Sequence, residues 1–241
     1  MAESQRYEHI SGKEEQRCML RTLSPIVEGG TRQVKFVAVV SKDITDLKKT
    51  EAKLKYLSLH DALTSLYNRA YFEEEMHRLD NNRFELVGLI MCDIDGLKLV
   101  NDTLGHDKGD ELLATASQVI RKSFRESDVV ARVGGDEFAI LLPNSPRSKV
   151  EEICARIKSG VVDYNRKNPH LPLGISTGFA IRTGPDQSMA ELYREADNSM
   201  YKEKLFGSQH ARNVIVRNLL NTIETKGITT RQSAKRLRQL V

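Results

Sequence analysis

Cysteine is scarce in this chain, and long apolar stretches are absent. The 241 residues include three cysteines, Cys18, Cys92 and Cys154, which lie far apart. An odd number of widely spaced cysteines argues against a disulfide framework and against a zinc site, and it is typical of a reducing compartment. No apolar run approaches the roughly 20 residues that span a bilayer, and the sequence near Met1 lacks a signal-peptide core. We therefore expect a cytoplasmic protein with no membrane span.

An excess of positive charge is also missing from most of the chain. The formal net charge is +4, but the segment from Ala211 to Val241 holds seven basic residues and one acid. This tail therefore carries +6 and the remainder of the chain −2. A body without a basic excess gives little support to nucleic-acid binding. The length allows one sizeable domain with appendages, or two small domains.

The first 45 residues have the pattern of a small β segment. The stretch "TRQVKFVAVVSKDIT" is rich in valine with loose alternation, and the turn signal "EGG" precedes it. This stretch resembles the closing strands of a PAS sensor domain, which commonly end in "DIT" followed by a charged helix. We expect residues 1–45 to be a partial PAS-like segment without a complete ligand pocket.

A helical linker is predicted for residues 46–60. Leu47, Leu54 and Leu57 occupy a and d positions of a heptad, and Thr50 fills the remaining position of the seam. Two interpretations remain open. The helix pairs with its copy in a second protomer, or it is one amphipathic helix that lies on its own domain.

The body of the chain has an α+β pattern. Its periodicity gives the order α β α α β β α β α, in which "FELVGLIMCDID" is a buried strand and "SMAELYREADNSMYKEKL" the last helix. "DVVARV" and "EFAILL" flank Gly134 and Gly135, which predicts a β-hairpin closed by a two-residue loop. A mainly antiparallel sheet with helices on its faces follows.

Two acidic clusters lie at strand ends. Asp93 and Asp95 close one strand, while Asp136 and Glu137 open another directly after the hairpin. If the strands are neighbours, Asp93 and Glu137 meet, and two carboxylates about 4 Å apart repel by about 4 kcal/mol at an effective dielectric near 20. Either one takes up a proton or a cation lies between them, and oxygen ligands suit Mg²⁺ or Mn²⁺. The alternative is a set of solvated turn residues that never meet.

Four motifs carry a family resemblance. "GGDEF" at Gly134 to Phe138 resembles the signature of GGDEF diguanylate cyclases, and "DALTSLYNR", "DIDGLKLVNDTLGHDKGDELL" and "ADNSMYKEK" match further motifs of that family in the right order. The likeness covers residues 61–207. It implies a palm-like α/β fold with a mainly antiparallel central sheet, similar to nucleotidyl cyclases and polymerases.

The resemblance implies a reaction and a metal centre. Two GTP molecules would condense to cyclic di-GMP with release of two pyrophosphates, in a homodimer that holds one GTP in each protomer. Two Mg²⁺ or Mn²⁺ ions per active site would bridge the attacking oxygen and the triphosphate. Asp93 and Glu137 would supply side-chain ligands and Ile94 a backbone carbonyl. Asp136 would be a metal partner or a proton acceptor.

The resemblance also implies a set of GTP-binding residues: Gly96, Leu97, Lys98, Asn101, Asp110 and Lys204. The first two would present backbone N–H groups at a helix start to the phosphates. Both lysines would add positive charge, and Lys98 is counted among the catalytic residues with Asp136 and Glu137. The Asn and Asp side chains would read the edge of guanine.

A second site is implied for the product. "RESD" places Arg125 and Asp128 at the spacing of the family's RxxD inhibitory site, and Arg156 lies where some members have a second arginine. Arginine can stack on guanine and grip phosphate. Without this spacing relative to "GGDEF", Arg125 and Asp128 would be interpreted as an ordinary surface ion pair. We expect feedback inhibition by cyclic di-GMP.

One departure from the family pattern keeps a second function open. Ser208 stands where the family usually has an arginine that contacts the triphosphate. A serine cannot replace a charge-assisted contact of about 1.5–3 kcal/mol, so we expect weaker GTP binding. The alternative function is a weak or inactive GGDEF module that senses GTP or cyclic di-GMP. Residues 208–241 faintly resemble the start of an HD-type phosphodiesterase domain, with Ser233 at the place of a metal-binding histidine.

Overall fold

The computed structural model describes residues 5–11, 17–27, 34–80, 86–184 and 186–205. Two compact units divide the chain, residues 1–58 and residues from Leu59 onward. Ser208 and the predicted tail of residues 208–241 lie outside the described residues. Among the helices that the structure describes, none combines the length and apolar character needed to cross a bilayer.

The first unit contains a three-stranded antiparallel sheet in the order β1-β2-β3. Its strands are β1 Gln5–Ser11, β2 Arg17–Val27 and β3 Val34–Asp43. Helix α1, Thr45–Leu59, follows β3 after one residue. At this junction the Asp43 carboxylate accepts hydrogen bonds from the N–H and the hydroxyl of Thr45. Large apolar side chains on both faces of β3 are exposed, namely Val34, Phe36, Val37, Val39 and Val40.

Helix α1 presents its predicted leucine stripe to the outside. No residue of α1 is buried, and the exposed fractions of Leu47, Leu54 and Leu57 are 64%, 63% and 49%. Three large apolar side chains on one uncovered side are unfavourable in water. The stripe is therefore free to meet a partner helix.

The second unit is built on a four-stranded antiparallel sheet in the order β5-β6-β4-β7. The strands are β4 Val87–Ile94, β5 Val129–Arg132, β6 Glu137–Pro143 and β7 Ile175–Arg182. The helices are α2 Arg69–Leu79, α3 Leu97–Leu104, α4 His106–Arg121, α5 Arg147–Lys167 and α6, helical in residues 189–205. This mixed α+β architecture with an antiparallel sheet flanked by helices confirms the predicted fold class.

The two faces of this sheet bury separate apolar cores. Alternate residues of β4, such as Ile90 and Cys92, pack with α4 and α5, whereas Leu89 and Met91 belong to the core under α2 and α6. Because side chains alternate along a strand, Asp93 continues the second series toward α2 and α6. The acid at the end of β4 thus lies at the rim of a dry core.

Helix α6 approaches the sheet very closely. A Cβ atom on Gly178 of β7 would lie 1.9 Å from the backbone nitrogen of Met200, so only glycine allows this contact. Near the end of α6, the Glu203 carboxylate accepts hydrogen bonds from the N–H and hydroxyl of Thr177, at 2.8 and 3.0 Å. These contacts fix the last described turns of α6 against β7.

The predicted two-residue hairpin loop is wrong. Strand β5 ends at Arg132 and β6 begins at Glu137, so the loop comprises residues 133–136. Neither Gly134 nor Gly135 has the positive φ angle that such tight turns require. The N–H groups of Val133 and Gly134 both point to the Glu137 carbonyl oxygen, at 3.0 and 3.3 Å, and Val133 is buried. Burial of this valine lengthens the turn.

Candidate active site

The two acidic strand ends meet in the sheet. Asp93 of β4 and Glu137 of β6 are direct partners in the antiparallel register, and the Ile94 N–H donates to the Asp136 carbonyl oxygen at 3.0 Å. Asp93 is 5% exposed, whereas Asp136 and Glu137 are half-buried. The backbone therefore brings together the acids that the sequence placed at strand ends.

The side chains do not all point to one spot. The Glu137 carboxylate lies over Gly134, where a Cβ atom would be 2.6 Å from Glu137 Oε2. Within the described ranges, no three His, Cys, Asp or Glu side chains are arranged to hold a metal ion. The register of Asp93 and Glu137 allows a shared cation.

Burial and the Lys204 ammonium act in opposite directions on the pKa of Asp93. Burial raises its pKa to about 6, with additional contributions from the negative charges of Asp136 and Asp95, while the Lys204 ammonium opposes the rise. Lys204 Nζ lies 2.6 Å from Asp93 Oδ1. Burial likewise raises the pKa of Asp95, although its carboxylate accepts a hydrogen bond from the Ser176 hydroxyl at 2.7 Å. This pocket of carboxylates favours a positive charge.

The donor chemistry fits a hard divalent cation. Carboxylate oxygens are the ligands that Mg²⁺ and Mn²⁺ prefer, and a cation lowers the cost of ionising buried acids. The Ile94 carbonyl belongs to the same strand end. Sequence reasoning assigned no role to Asp95, although it lies in the same "MCDID" motif.

The start of α3 follows the acids of β4 directly. Gly96 precedes the helix with φ +74°, in the left-handed region that glycine adopts without strain, and Leu97 is the first helical residue. Lys98 is exposed on the first turn. Free N–H groups at a helix start favour anions, so the partial charge at this turn suits an anion beside the carboxylates.

Asn101 and Asp110 lie on consecutive helices. The Asn101 side chain of α3 rests on Gly109 of α4, where a Cβ atom would be 1.8 Å from Asn101 Oδ1. This Oδ1 atom is buried and has no hydrogen-bond partner. Asp110, the next residue of α4, is exposed. An unpaired buried acceptor is costly, so the Asn101 amide would gain stability from a donor that reaches it.

Two further residues brace the hairpin loop, and sequence reasoning missed both. The Arg132 guanidinium donates to the Gly135 carbonyl oxygen at 2.8 Å and pairs with Asp61 at 3.2 Å. Asp61 also accepts the N–H and hydroxyl of Thr64, at 2.9 and 2.7 Å. Burial favours a raised pKa for Asp61, but these hydrogen bonds and the Arg132 charge outweigh it and lower the pKa. The sequence signal that could have found this pair is an acid in "DALTSLYNR" and a base in "DVVARV", two motifs already assigned to the same domain.

The predicted inhibitory residues lie on one stretch of surface. Arg156 of α5 donates to the Ser123 carbonyl oxygen at 2.7 Å, two residues before Arg125. The Asp128 carboxylate accepts the backbone N–H of Arg125 at 2.9 Å, and among the described residues no ion pair joins their side chains. The exposed Arg125 guanidinium is therefore not committed to Asp128.

A model of the GGDEF domain of diguanylate cyclases matches residues 58–210, more than half of the chain. The chain belongs to the GGDEF diguanylate cyclase family. This GGDEF chain is 37% identical over 172 residues to the probable diguanylate cyclase DgcE of Escherichia coli, a match that covers 69% of the chain and 16% of the relative. It is 29% identical to the diguanylate cyclase DgcM of the same species, over 77% of the chain and 48% of the relative. The chain thus spans less than half of these relatives.

Solved structures of GGDEF domains share this fold. The coiled coil and GGDEF domain of DgcB from Caulobacter crescentus, in complex with c-di-GMP, aligns with a TM-score of 0.62 at 29% identity, covering 68% of this chain and 90% of that one. Diguanylate cyclase SiaD from Pseudomonas aeruginosa, in complex with its activator SiaC, aligns with a TM-score of 0.57 at 26% identity, covering 67% and 64%.

Proposed function

We propose that this chain is a diguanylate cyclase that condenses two GTP molecules into cyclic di-GMP with release of two pyrophosphates. The observation that carries the proposal is the direct pairing of Asp93 with Glu137 at the strand ends of a GGDEF domain. GTP itself, the homodimer and the cytoplasmic location are parts of the same proposal.

The metal centre is assigned to Asp93, Glu137, Asp136 and the Ile94 carbonyl. Mg²⁺ or Mn²⁺ ions bound there, two per site, would stabilise charge on the attacking oxygen and on the triphosphate. The Asp93 and Glu137 carboxylates would bind these ions and hold them in position. Asp136, half-buried beside them, would be a metal partner or would accept the proton of the attacking hydroxyl.

The nucleotide would lie across the starts of α3 and α4. N–H groups at Gly96 and Leu97 hold the phosphates, while Lys98 and Lys204 add positive charge. Asn101 and Asp110 read the guanine edge. Each 3′-oxygen forms a bond to the α-phosphorus of the facing GTP as the bond to pyrophosphate breaks, so both protomers must supply one nucleotide.

The reaction is tested by incubating the purified chain with GTP and Mg²⁺ and separating the products. We expect cyclic di-GMP and pyrophosphate from GTP and neither product from ATP. The matched substrate 3′-deoxy-GTP keeps the base and phosphates but lacks the attacking oxygen. It should bind without reacting, and product formation from it would contradict this chemistry.

Feedback at Arg125, Asp128 and Arg156 is the proposed regulation. The exposed Arg125 guanidinium is suited to grip phosphate and guanine of cyclic di-GMP. Replacing Arg125 by Ala should leave the initial rate unchanged but let product accumulate several-fold further before turnover stops. Equal product plateaus in both proteins would remove the inhibitory assignment. The progress curve measures both quantities in one experiment.

A sensor of GTP or cyclic di-GMP is the second candidate function. The observations that favour it are the Glu137 carboxylate turned over Gly134 and the Asp93 carboxylate paired with Lys204. Ser208, at the usual place of an arginine, points the same way. Tight binding of GTP with no turnover at any Mg²⁺ concentration would establish this function instead of the cyclase.

The remaining segments are assigned from sequence and local structure. We infer that residues 1–45 are the end of a PAS-like sensor domain, supported by the antiparallel β1-β2-β3 sheet followed by a charged helix. Residues 46–60 would be the linker and 61–207 the GGDEF domain. The basic residues 208–241 would correspond to the start of an HD-type domain.

A further inference from the structure

Lys204 occupies an unusual place for a residue assigned to a triphosphate. Its ammonium lies 2.6 Å from Asp93 Oδ1, and the Asp93 side chain is 7% exposed while that of Lys204 is 35% exposed. A buried carboxylate requires a positive neighbour, and here a side chain of the same protein supplies it. The ammonium therefore contacts one oxygen of a carboxylate that the proposed metal centre uses.

The position of Lys204 is fixed by its neighbour in sequence. Glu203 accepts two hydrogen bonds from Thr177 of β7 and pairs with Lys158 of α5. With the backbone anchored one residue away, Lys204 can leave Asp93 only by rotation of its own side chain. The Lys204 side chain is partly exposed, so solvent lies on one side of it.

We propose that Lys204 is a charge stand-in that neutralises Asp93 in the nucleotide-free protein and must be displaced by the first divalent cation that binds. A cation and an ammonium cannot occupy the same carboxylate oxygen without strong repulsion. The freed ammonium then becomes available to the triphosphate. Binding of the metal thereby moves Lys204 from its ion pair with Asp93 to a contact with the triphosphate. This inference rests on the proposed metal site of the cyclase.

Competition between Lys204 and metal has a direct thermodynamic consequence. The ion pair must break before the metal binds, so its free energy is subtracted from metal affinity. At a pH that keeps Asp93 ionised, removal of the ammonium should strengthen binding of Mn²⁺ alone by about two- to fivefold, the range for an ion pair that is partly open to solvent.

The variant test uses Mn²⁺ alone on the nucleotide-free chain. Free Mn²⁺ is measured by its electron paramagnetic resonance signal for the native chain, Lys204→Met and the matched variant Lys202→Met, which removes an exposed lysine of the same helix. Lys204→Met should bind more tightly and Lys202→Met as the native chain does. Equal affinity in all three proteins, equal strengthening by both variants, or no Mn²⁺ binding to Lys204→Met overturns the proposal.

A second measurement needs no variant. In the native chain, the rate at which an amine-acylating reagent modifies Lys204 is followed by mass spectrometry with and without Mn²⁺. Release from Asp93 should raise the Lys204 rate several-fold and leave Lys202 unchanged; an unchanged Lys204 rate at saturating Mn²⁺ contradicts the proposal. Because GTP is absent from both tests, a chain that behaves as expected here yet makes no cyclic di-GMP would refute the cyclase and leave the stand-in role intact.

Discussion

Asp61 and Arg132 brace the loop of residues 133–136. Arg132 joins the loop carbonyl at Gly135 to a carboxylate 71 positions earlier in the chain. Side-chain exposures of 15% for Arg132 and 25% for Asp61 make this a partly buried pair, in which hydrogen bonds to charged groups stabilise more than at a free surface. The brace therefore links fold stability to the position of Asp136 and Glu137.

Replacing Asp61 by Asn should lower the free energy of unfolding by about 1–3 kcal/mol at pH 7, because Arg132 loses its charged partner. Urea denaturation measures the change. Glu74→Gln, an exposed carboxyl on α2, is the control and should change stability by less than about 0.5 kcal/mol. Equal loss in both variants would show that Asp61 contributes nothing specific.

The same variant has a defined pH dependence. The pKa of Asp61 lies below its ordinary value of 3.8 in the folded chain. Its contribution is therefore complete above the unfolded pKa of about 3.9 and is lost as the pH falls through the lower folded pKa. The gap in unfolding free energy between native chain and Asp61→Asn should close below about pH 4 and stay constant from pH 5 to 7.

Residue types indicated the acids of the site but not the directions of their side chains. "MCDID" and "GGDE" placed Asp93 and Glu137 at strand ends, and the register pairs them. Whether Glu137 lies over Gly134 or faces Asp93 depends on side-chain rotation in a half-buried setting, which no local pattern encodes. The Lys204 contact with Asp93 joins residues 111 positions apart and likewise required the fold.

At the scale of elements, α3 and α4 approach closely at Gly109. Gly109 has no side chain, and the Asn101 amide fills that space. Replacing glycine by alanine within a helix ordinarily stabilises it by about 0.5–1 kcal/mol. Here the added methyl group would displace the Asn101 side chain that the proposed function assigns to guanine.

Gly109→Ala should therefore raise the KM for GTP about three- to tenfold, the cost of one hydrogen bond, while the chain stays folded. Steady-state kinetics with thermal melting measures both effects. Gly160→Ala in α5 is the matched control, since its Cβ would meet only Val119, at 3.1 Å. An unchanged KM for Gly109→Ala would contradict the assignment of Asn101.

Element order was predictable because apolar periodicity differs between helices and strands. The strand in "FELVGLIMCDID" is buried at every position of β4, as its unbroken apolar run predicts. The hairpin loop was not predictable, because burial of Val133 in the α2/α6 core lengthens a turn that two glycines alone would make short. Tertiary packing overrode a local signal there.

For the whole molecule, the proposed chemistry requires two protomers. The leucine stripe of α1 is one exposed apolar surface that suits pairing, because no residue of that helix is buried. Heptad leucines on paired helices bury apolar area that is otherwise in contact with water. In the proposed function, a dimer through α1 would cover the stripe and bring two GGDEF domains into one particle.

Leu54→Glu should weaken the dimer at least about tenfold, because it places a charge in the seam of the helix pair. Analytical ultracentrifugation measures the dimer constant, and specific activity should fall with dilution. Lys49→Glu reverses a charge outside the stripe of the same helix and should leave both unchanged. A monomeric native chain with full activity at every concentration would contradict this assembly.

The central claim is that carboxylates from β4 and β6 hold divalent cations against GTP, and one comparison of rates tests it most directly. Cyclic di-GMP formation from GTP and Mg²⁺ is measured for the native chain, for Glu137→Gln and for the control Glu74→Gln. We predict a loss of roughly 100-fold or more for Glu137→Gln, the range for a group that acts directly in catalysis, and a native rate for the control. A Glu137→Gln chain that forms product at the native rate would contradict the account.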